Sequence, residues 1–267
     1  MHHTSPMSDS LLLSNYAVGF TLIGLVVTGS AILQHGFKRR IGSKTIKELH
    51  EVGGHYMTSI GTLYAVLLGL IVVDASSKFN EAKNNSQNEA NALYEVYALA
   101  DRMPFKPRLM IRSTIHRYTA EVMDNEWDLM SRNQSSQTAR DLFRTLMEEI
   151  KAIEPVSENQ KAVYQTLLTS FIGALEFRRG RLNFSQYAIP DVEWFSLISG
   201  GVITIVFTFF FALENHRIQA VMTAMVAFVL AVNLYLAYLF STPYSGSLNL
   251  PKESFLVLQS YIEANPP

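Results

Sequence analysis

The side chains with the most obvious chemical potential lie at His50-Glu51-Val52-Gly53-Gly54-His55. A zinc-protease helix needs two imidazoles four residues apart, so that both share one face and the intervening Glu acts as base. Here the two His are five residues apart, which turns the second well off that face. The adjacent glycines also weaken any helix that would carry them. The segment therefore reads as a polar, flexible lead into the apolar stretch that follows. No other His pair has helical ligand spacing, and no Gly-rich loop is placed to cradle phosphate. Cysteine is absent, which removes thiolate catalysis, thiolate metal sites and disulfides. The expectation is a protein with no catalytic residues, no metal and no cofactor; an intramembrane enzyme finds no nucleophile–base pair to support it.

The remaining polar candidates belong to apolar surroundings. Asp74 and Glu214 close two apolar runs, at boundaries where water reaches them. Asn15 and Asn233 lie inside two others, and such an amide in hydrocarbon is expected to bond to a neighbouring helix. Gly61, Ala65 and Gly69 recur every four residues, with Thr58, Thr62, Ser59 and Tyr64 adding hydroxyls nearby. Such a lean face serves either close packing of helices or a subunit interface or pore lining, where hydroxyls and backbone dipoles replace part of an ion's water. Thr58, Gly61, Thr62, Ala65, Gly69 and Asp74 are the pore-lining candidates on the second reading. Arg178-Arg179-Gly180-Arg181 forms a basic cluster: either a solvated helix face or a contact for anions or lipid phosphates by Arg178, Arg179 and Arg181. Tyr187, Trp194, Tyr238 and Tyr244 fall at run ends as interfacial anchors. Glu126-Trp127 reads as domain packing.

The elements that must position these residues are apolar helices. Four runs without Asp, Glu, Lys or Arg, at 11–33, 56–74 up to its closing Asp74, 195–213 and 218–240, are each about 18–24 residues long. At 1.5 Å per residue each crosses a hydrocarbon layer about 30 Å thick. The chain then divides into an N-terminal hairpin (1–75), a polar middle domain (76–193), a C-terminal hairpin (194–241) and a tail (242–267). The middle is helical throughout by its apolar stripes. Ala82, Ala90, Leu93, Val96 and Tyr97 extend the second run well past the bilayer. Further stripes run through 109–130, 139–153 and 157–186, with breaks at Pro104, Pro107, Ser135-Ser136, Pro155 and Ile189-Pro190. The predicted fold class is an all-α integral membrane protein: four spans plus an extramembrane helical bundle.

Charge bears on topology more than on partners. The net charge of -1 provides no field for nucleic acid. Lys38, Arg39, Arg40, Lys44 and Lys47 crowd the short loop after the first run, and the positive-inside rule puts that loop in the cytoplasm. The middle domain is then extracytoplasmic. Lys78, Lys83, Arg178, Arg179 and Arg181 argue the other way, but long domains translocate largely regardless of charge.

Three segments, taken in order, carry a family likeness. The first is Gly61-Thr62-Leu63-Tyr64-Ala65-Val66-Leu67-Leu68-Gly69, continuing to Glu81-Ala82, Glu89-Ala90 and Met103-Pro104. The second is Tyr118 followed by Glu126-Trp127. The third runs from Arg178 and Arg181-Leu182 through Ile189-Pro190, Trp194 and Glu214-Asn215 to Pro243-Tyr244-Ser245-Gly246. The whole resembles the bestrophin-like domain family, four-span membrane proteins of bacteria and some plants. This chain departs from that pattern in having Phe240-Ser241-Thr242 without an acidic residue, and Asp74-Ala75-Ser76 in place of a Trp beyond the second span. The resemblance implies remote kinship with bestrophins, which are pentameric anion channels, and a place in the bacterial inner (plasma) membrane. It makes the second span the leading pore-lining element, in a homo-oligomer whose partners are the lipid bilayer, its own copies and inorganic anions. The rival expectation is a non-conducting membrane sensor or scaffold whose helical domain binds a ligand or protein partner.

Overall fold

The structure is a computed structural model. It describes the backbone of residues 6–40, 43–211, 215–246 and 248–267, with side chains placed for 16–37, 54–211, 215, 217–246 and 248–267. Among these residues every regular element is helical. Four helices are long and apolar enough to cross a membrane, so the expected fold class holds.

The helices start and stop where local chemistry directs. α1 (Pro6–Arg40) opens on a proline, whose missing N–H costs nothing in a first turn. α2 (Ser43–Leu99) runs for 57 residues, roughly 85 Å. It passes unbroken through Gly53-Gly54, against the flexible lead expected there. A glycine costs about 1 kcal/mol in a helix, and a long cooperative helix absorbs that. A 3-10 turn, Ala100–Arg102, and Pro104 end it. α3 (Phe105–Glu121) widens into a π-helical turn, Val122–Glu126, and resumes as α4 (Trp127–Met130). α5 (Gln137–Lys151) is capped by Ser136, whose Oγ accepts from Ala139 N at 3.1 Å. α6 (Glu158–Ser185) begins with a reciprocal capping box between Ser157 and Gln160. α7 (Asp191–Phe207) follows Pro190, carries Asp191 and Glu193 in its first turn, and tightens into a 3-10 turn, Thr208–Phe210. Asn215 caps α8 (His216–Phe240) by accepting from Arg217 N and Ile218 N. α9 (Glu253–Ala264) lies in the segment read from sequence as a tail.

The chain forms two compact units, with boundaries at 77/78, 187/188 and 241/242. One holds α1, the first part of α2, α7 and α8. There Tyr64, Leu68, Ile71 and Ala75 of α2 pack with Leu197 and Ala237, flanked by Trp194, Leu230, Leu234 and Phe240. Close approach depends on glycine: a Cβ on Gly200 would stand 2.4 Å from the Tyr64 ring, and one on Gly19 2.2 Å from the Tyr235 ring. The Tyr64 hydroxyl donates to the Leu197 carbonyl at 2.9 Å, which satisfies it inside the bundle.

The other unit holds the rest of α2, α3 to α6 and α9. Leu93, Val96 and Tyr97 of α2, Ile111, Ile115 and Tyr118 of α3, Leu146 and Ile150 of α5 and Leu167 of α6 are fully enclosed. Each large apolar side chain of this kind contributes about 1.5–3 kcal/mol by burial. Phe255, Leu258 and Ile262 of α9 belong to the same core. The 242–267 segment is therefore an integral wall of this unit. Gly246, at φ +78, supplies the left-handed residue in the turn that leads toward it, where Leu250 N donates to Pro243 O at 2.8 Å. Tyr244, expected as an interfacial anchor, is 3% exposed. Its hydroxyl donates to Ala82 O at 3.2 Å and pairs with Ser86 Oγ at 2.9 Å, and its ring meets Trp127 edge-on.

Candidate functional site

The lean face of α2 is uncovered. A Cβ built on Gly61 or Gly69 meets no atom within 4 Å, and Ala65 is exposed. This face lies roughly 100° around the helix from the one that packs through Tyr64, Leu68 and Ile71. Packing inside this unit therefore does not explain the small residues. The glycines that do serve internal packing, Gly19, Gly200 and Gly201, went unremarked in the sequence; the adjacent Gly200-Gly201 pair in an otherwise bulky run was the available signal.

Thr58 and Thr62 belong to the same face. Their hydroxyls donate back along the helix, to Gly54 O at 3.0 Å and Thr58 O at 2.8 Å. Turning either hydroxyl toward an outside ligand requires giving up that bond. Asp74 is exposed but is five residues beyond Gly69, about 140° further round, so it is not part of the stripe. Lys83 is part of it: eighteen residues, five helical turns, beyond Ala65, and exposed. The sequence reading did not connect Lys83 with this face. Asn233 donates to Val229 O at 2.8 Å on its own helix, which corrects the expected inter-helix contact: one turn back along α8 was the nearer acceptor. Asn15, His50 and Glu214 lie outside the residues whose side chains are described.

The basic cluster is divided by burial. Arg179 is exposed, but Arg178 is 5% and Arg181 0% exposed. The expected solvated patch, and with it contact of Arg178 and Arg181 with anions or lipid phosphates, is corrected on this point: both guanidiniums are occupied by carboxylates. α6 sets the two arginines three residues apart, on one face. Arg178 forms a two-pronged pair with Glu126, at 2.8 Å on each prong. Arg181 reaches Glu89 of α2 through Nε at 2.6 Å and Glu126 through Nη2 at 2.8 Å. Tyr118 donates to Glu89 and accepts from Arg178. The π-helical turn ends on Glu126, placing its carboxylate between the two arginines.

The electrostatics follow from that geometry. Burial alone would raise the Glu126 carboxyl, but Arg181 and Arg178 outweigh it and hold Glu126 below the usual carboxylate range. Burial works against the charge on Arg181, and Glu89, Tyr118 and Glu126 overcome it, so the guanidinium stays firmly protonated. Tyr118 is pushed well up, first by burial and then by Glu89. Tyr244 is pushed up to about 12, chiefly by burial. Two arginines and two glutamates sum to no net charge. The cluster therefore ties α2, α3 and α6 together and presents no unpaired charge to a ligand. Among the described residues, no three His, Asp or Glu side chains gather to hold a metal.

An all-helical chain with four apolar spans is a multi-pass integral membrane protein. The Bestrophin-like domain family model matches residues 24–255, and the chain belongs to that family. Among solved structures, a point variant of a bacterial bestrophin homologue from Klebsiella pneumoniae aligns with a TM-score of 0.71 at 14% identity, covering 94% of this chain and 97% of that one. A second variant of that homologue gives 0.70 at 13%, covering 92% and 99%. Its structure phased with zinc gives 0.68 at 13%, covering 90% and 97%. At such identities the likeness is one of fold. No curated protein matches the chain.

Proposed function

We propose that this protein is a bestrophin-type channel: a homo-oligomer that conducts ions, with a preference for anions, along the lean face of α2. The observation that carries the reading is the uncovered stripe of Thr58, Thr62, Ala65 and Gly69 on a helix whose other face is packed. Copies of α2 around an axis would line a narrow path with small side chains and backbone dipoles. No carboxylate lies on the stripe, and its one cation, Lys83, would attract anions toward it. Arg179 remains as an exposed cation for anion or lipid-phosphate contact. We place the protein in a bacterial plasma membrane with the helical domain extracytoplasmic, on the strength of the cationic loop after the first span.

The absence of cysteine makes the test clean. Single cysteines at Thr62, Ala65 and Gly69 are compared with cysteines at Leu63 and Leu70, which are 73% and 66% exposed on other faces of α2. The protein is reconstituted in liposomes and anion flux is followed while a charged thiol reagent is added from the water. Conduction that is blocked at the first set and unaffected at the second is the expected result. A pure oligomer that conducts nothing under varied Ca²⁺, pH and voltage rejects the channel and leaves a sensor or scaffold.

A further inference from the structure

Two buried amide atoms in the membrane unit lack partners, and their defects are complementary. Gln219, 2% exposed in the first turns of α8, donates through Nε2 to Phe211 O at 2.5 Å and to Thr208 O at 3.4 Å. It thereby closes carbonyls that the end of α7 and its 3-10 turn would leave open. Those two bonds fix which way the amide faces. Its Oε1 is buried and meets no donor. Gln34, 1% exposed near the end of α1, has the reverse defect: its Nε2 is buried and meets no acceptor.

Helix pairing brings both to one level. α1 and α8 run antiparallel, because Gly19 faces the Tyr235 ring near one end while Phe37 meets Phe209 and Phe210, just ahead of α8, at the other. Fifteen residues forward from Gly19 is Gln34, and fifteen back from Tyr235 is Ala220, beside Gln219. One turn away, Ser30 and Thr223 are buried too, but each already has a bond: Ser30 to Val27 O at 2.8 Å, Thr223 with Thr208 at 3.0 Å. In a membrane no solvent reaches such groups, so an unmet donor beside an unmet acceptor is costly.

We propose that a hydroxyl-bearing guest bridges these two amides, accepting from Gln34 Nε2 and donating to Gln219 Oε1. A hydroxyl does both with one oxygen. A halide accepts only, and would meet the lone pairs of Gln219 Oε1, so this is not a station for a permeating anion. The guest is either an enclosed water or the hydroxyl of a lipid or other alcohol. It fastens the first span to the start of the last.

The test uses the full chain, purified in a detergent without hydroxyl groups. Gln34→Met removes the donor at nearly constant volume, and Gln219→Met removes the acceptor together with the cap. Each is expected to lower the melting temperature, with the loss for Gln34→Met on the order of 2–4 °C for one hydrogen bond. The double variant is expected to lose less than the sum, because either change breaks the bridge. Full additivity, or a Gln34→Met protein as stable as the wild type, overturns the proposal. The wild type supplies an independent reading if a variant does not fold: a high-resolution map should show density between the two amides, and an empty gap overturns the proposal. Native mass spectrometry assigns the source. A retained lipid or alcohol mass that Gln34→Met loses identifies the alcohol, and bridging density with no added mass identifies water.

Discussion

Gly200 and Tyr64 show how a single atom sets a helix contact. The Tyr64 ring occupies the place where a Cβ would be, and its hydroxyl ends on Leu197 O. Gly200→Ala forces the ring aside, with an expected cost of about 1–3 kcal/mol. Tyr64→Phe keeps the ring and loses only the bond, roughly 1 kcal/mol. Thermal melts in detergent should order them wild type, Tyr64→Phe, Gly200→Ala; equal stability of Gly200→Ala and wild type rejects the contact. Glu126 makes a prediction of the opposite kind, about charge. Its folded carboxyl sits below the unfolded value, so its contribution is complete above the ordinary carboxyl pKa and fades as pH falls through the folded one. The wild type should lose stability on acidification below about pH 4.5. Glu126→Gln should be less stable by about 3–5 kcal/mol at neutral pH, because two buried arginines lose their shared anion, and it should respond less to acid in that window. Chemical denaturation across pH measures both.

At the scale of elements, α2 does two jobs along one continuous rod. Its first part shows one packed and one uncovered face; its second part contributes Leu93, Val96 and Tyr97 to the core of the helical domain. Glu89 adds a charged tie to α6 at the same level. The pairing of α3 with α5 contains a weaker point. Glu149 Oε1 accepts from Thr114 at 2.9 Å, while Oε2 is buried and unbonded. Burial raises its carboxyl, and Thr114 and Arg117 only partly offset that. The folded value lies above the unfolded one, so the site favours folding most at low pH, and the advantage disappears as pH rises through the folded value. Glu149→Gln keeps an acceptor for Thr114 and removes the charge. It should match the wild type near pH 4 and exceed it at pH 8; a variant that is weaker at both values shows that the carboxylate is needed.

For the whole molecule the open question is what covers the lean face of α2. A ring of copies would bring Lys83 of each near the path, so its charge should set ion preference. In liposomes with a chloride gradient, Lys83→Glu should shift the reversal potential toward cations while leaving the oligomer's size unchanged by light scattering. A shift of zero would place Lys83 away from the permeating ions. A change in oligomer size would instead assign it to assembly.

Much of this protein was legible in one dimension. Hydrophobic runs at 11–33, 56–74, 195–213 and 218–240 mark stretches that must leave water, and an isolated span has to be a helix because only a helix bonds all of its own backbone. Pro104, Ser136, Ser157 and Asn215 mark helix starts through bonds to their immediate neighbours, which sequence spacing also reveals. The segment 242–267 read as a tail, because three buried residues on a short helix look like any amphipathic end. Arg178 and Arg181 read as a surface cluster, because their carboxylates come from positions 52 and 92 residues away. Whether a charge meets water or a partner is set by which helix faces it. That depends on the rotation and register of packed helices, and no local pattern records it. The same holds for Gly61 and Gly69 against Gly19 and Gly200: the sequence shows small residues on every one of these helices, and only the packed structure decides which of them receive a neighbouring ring and which stay uncovered.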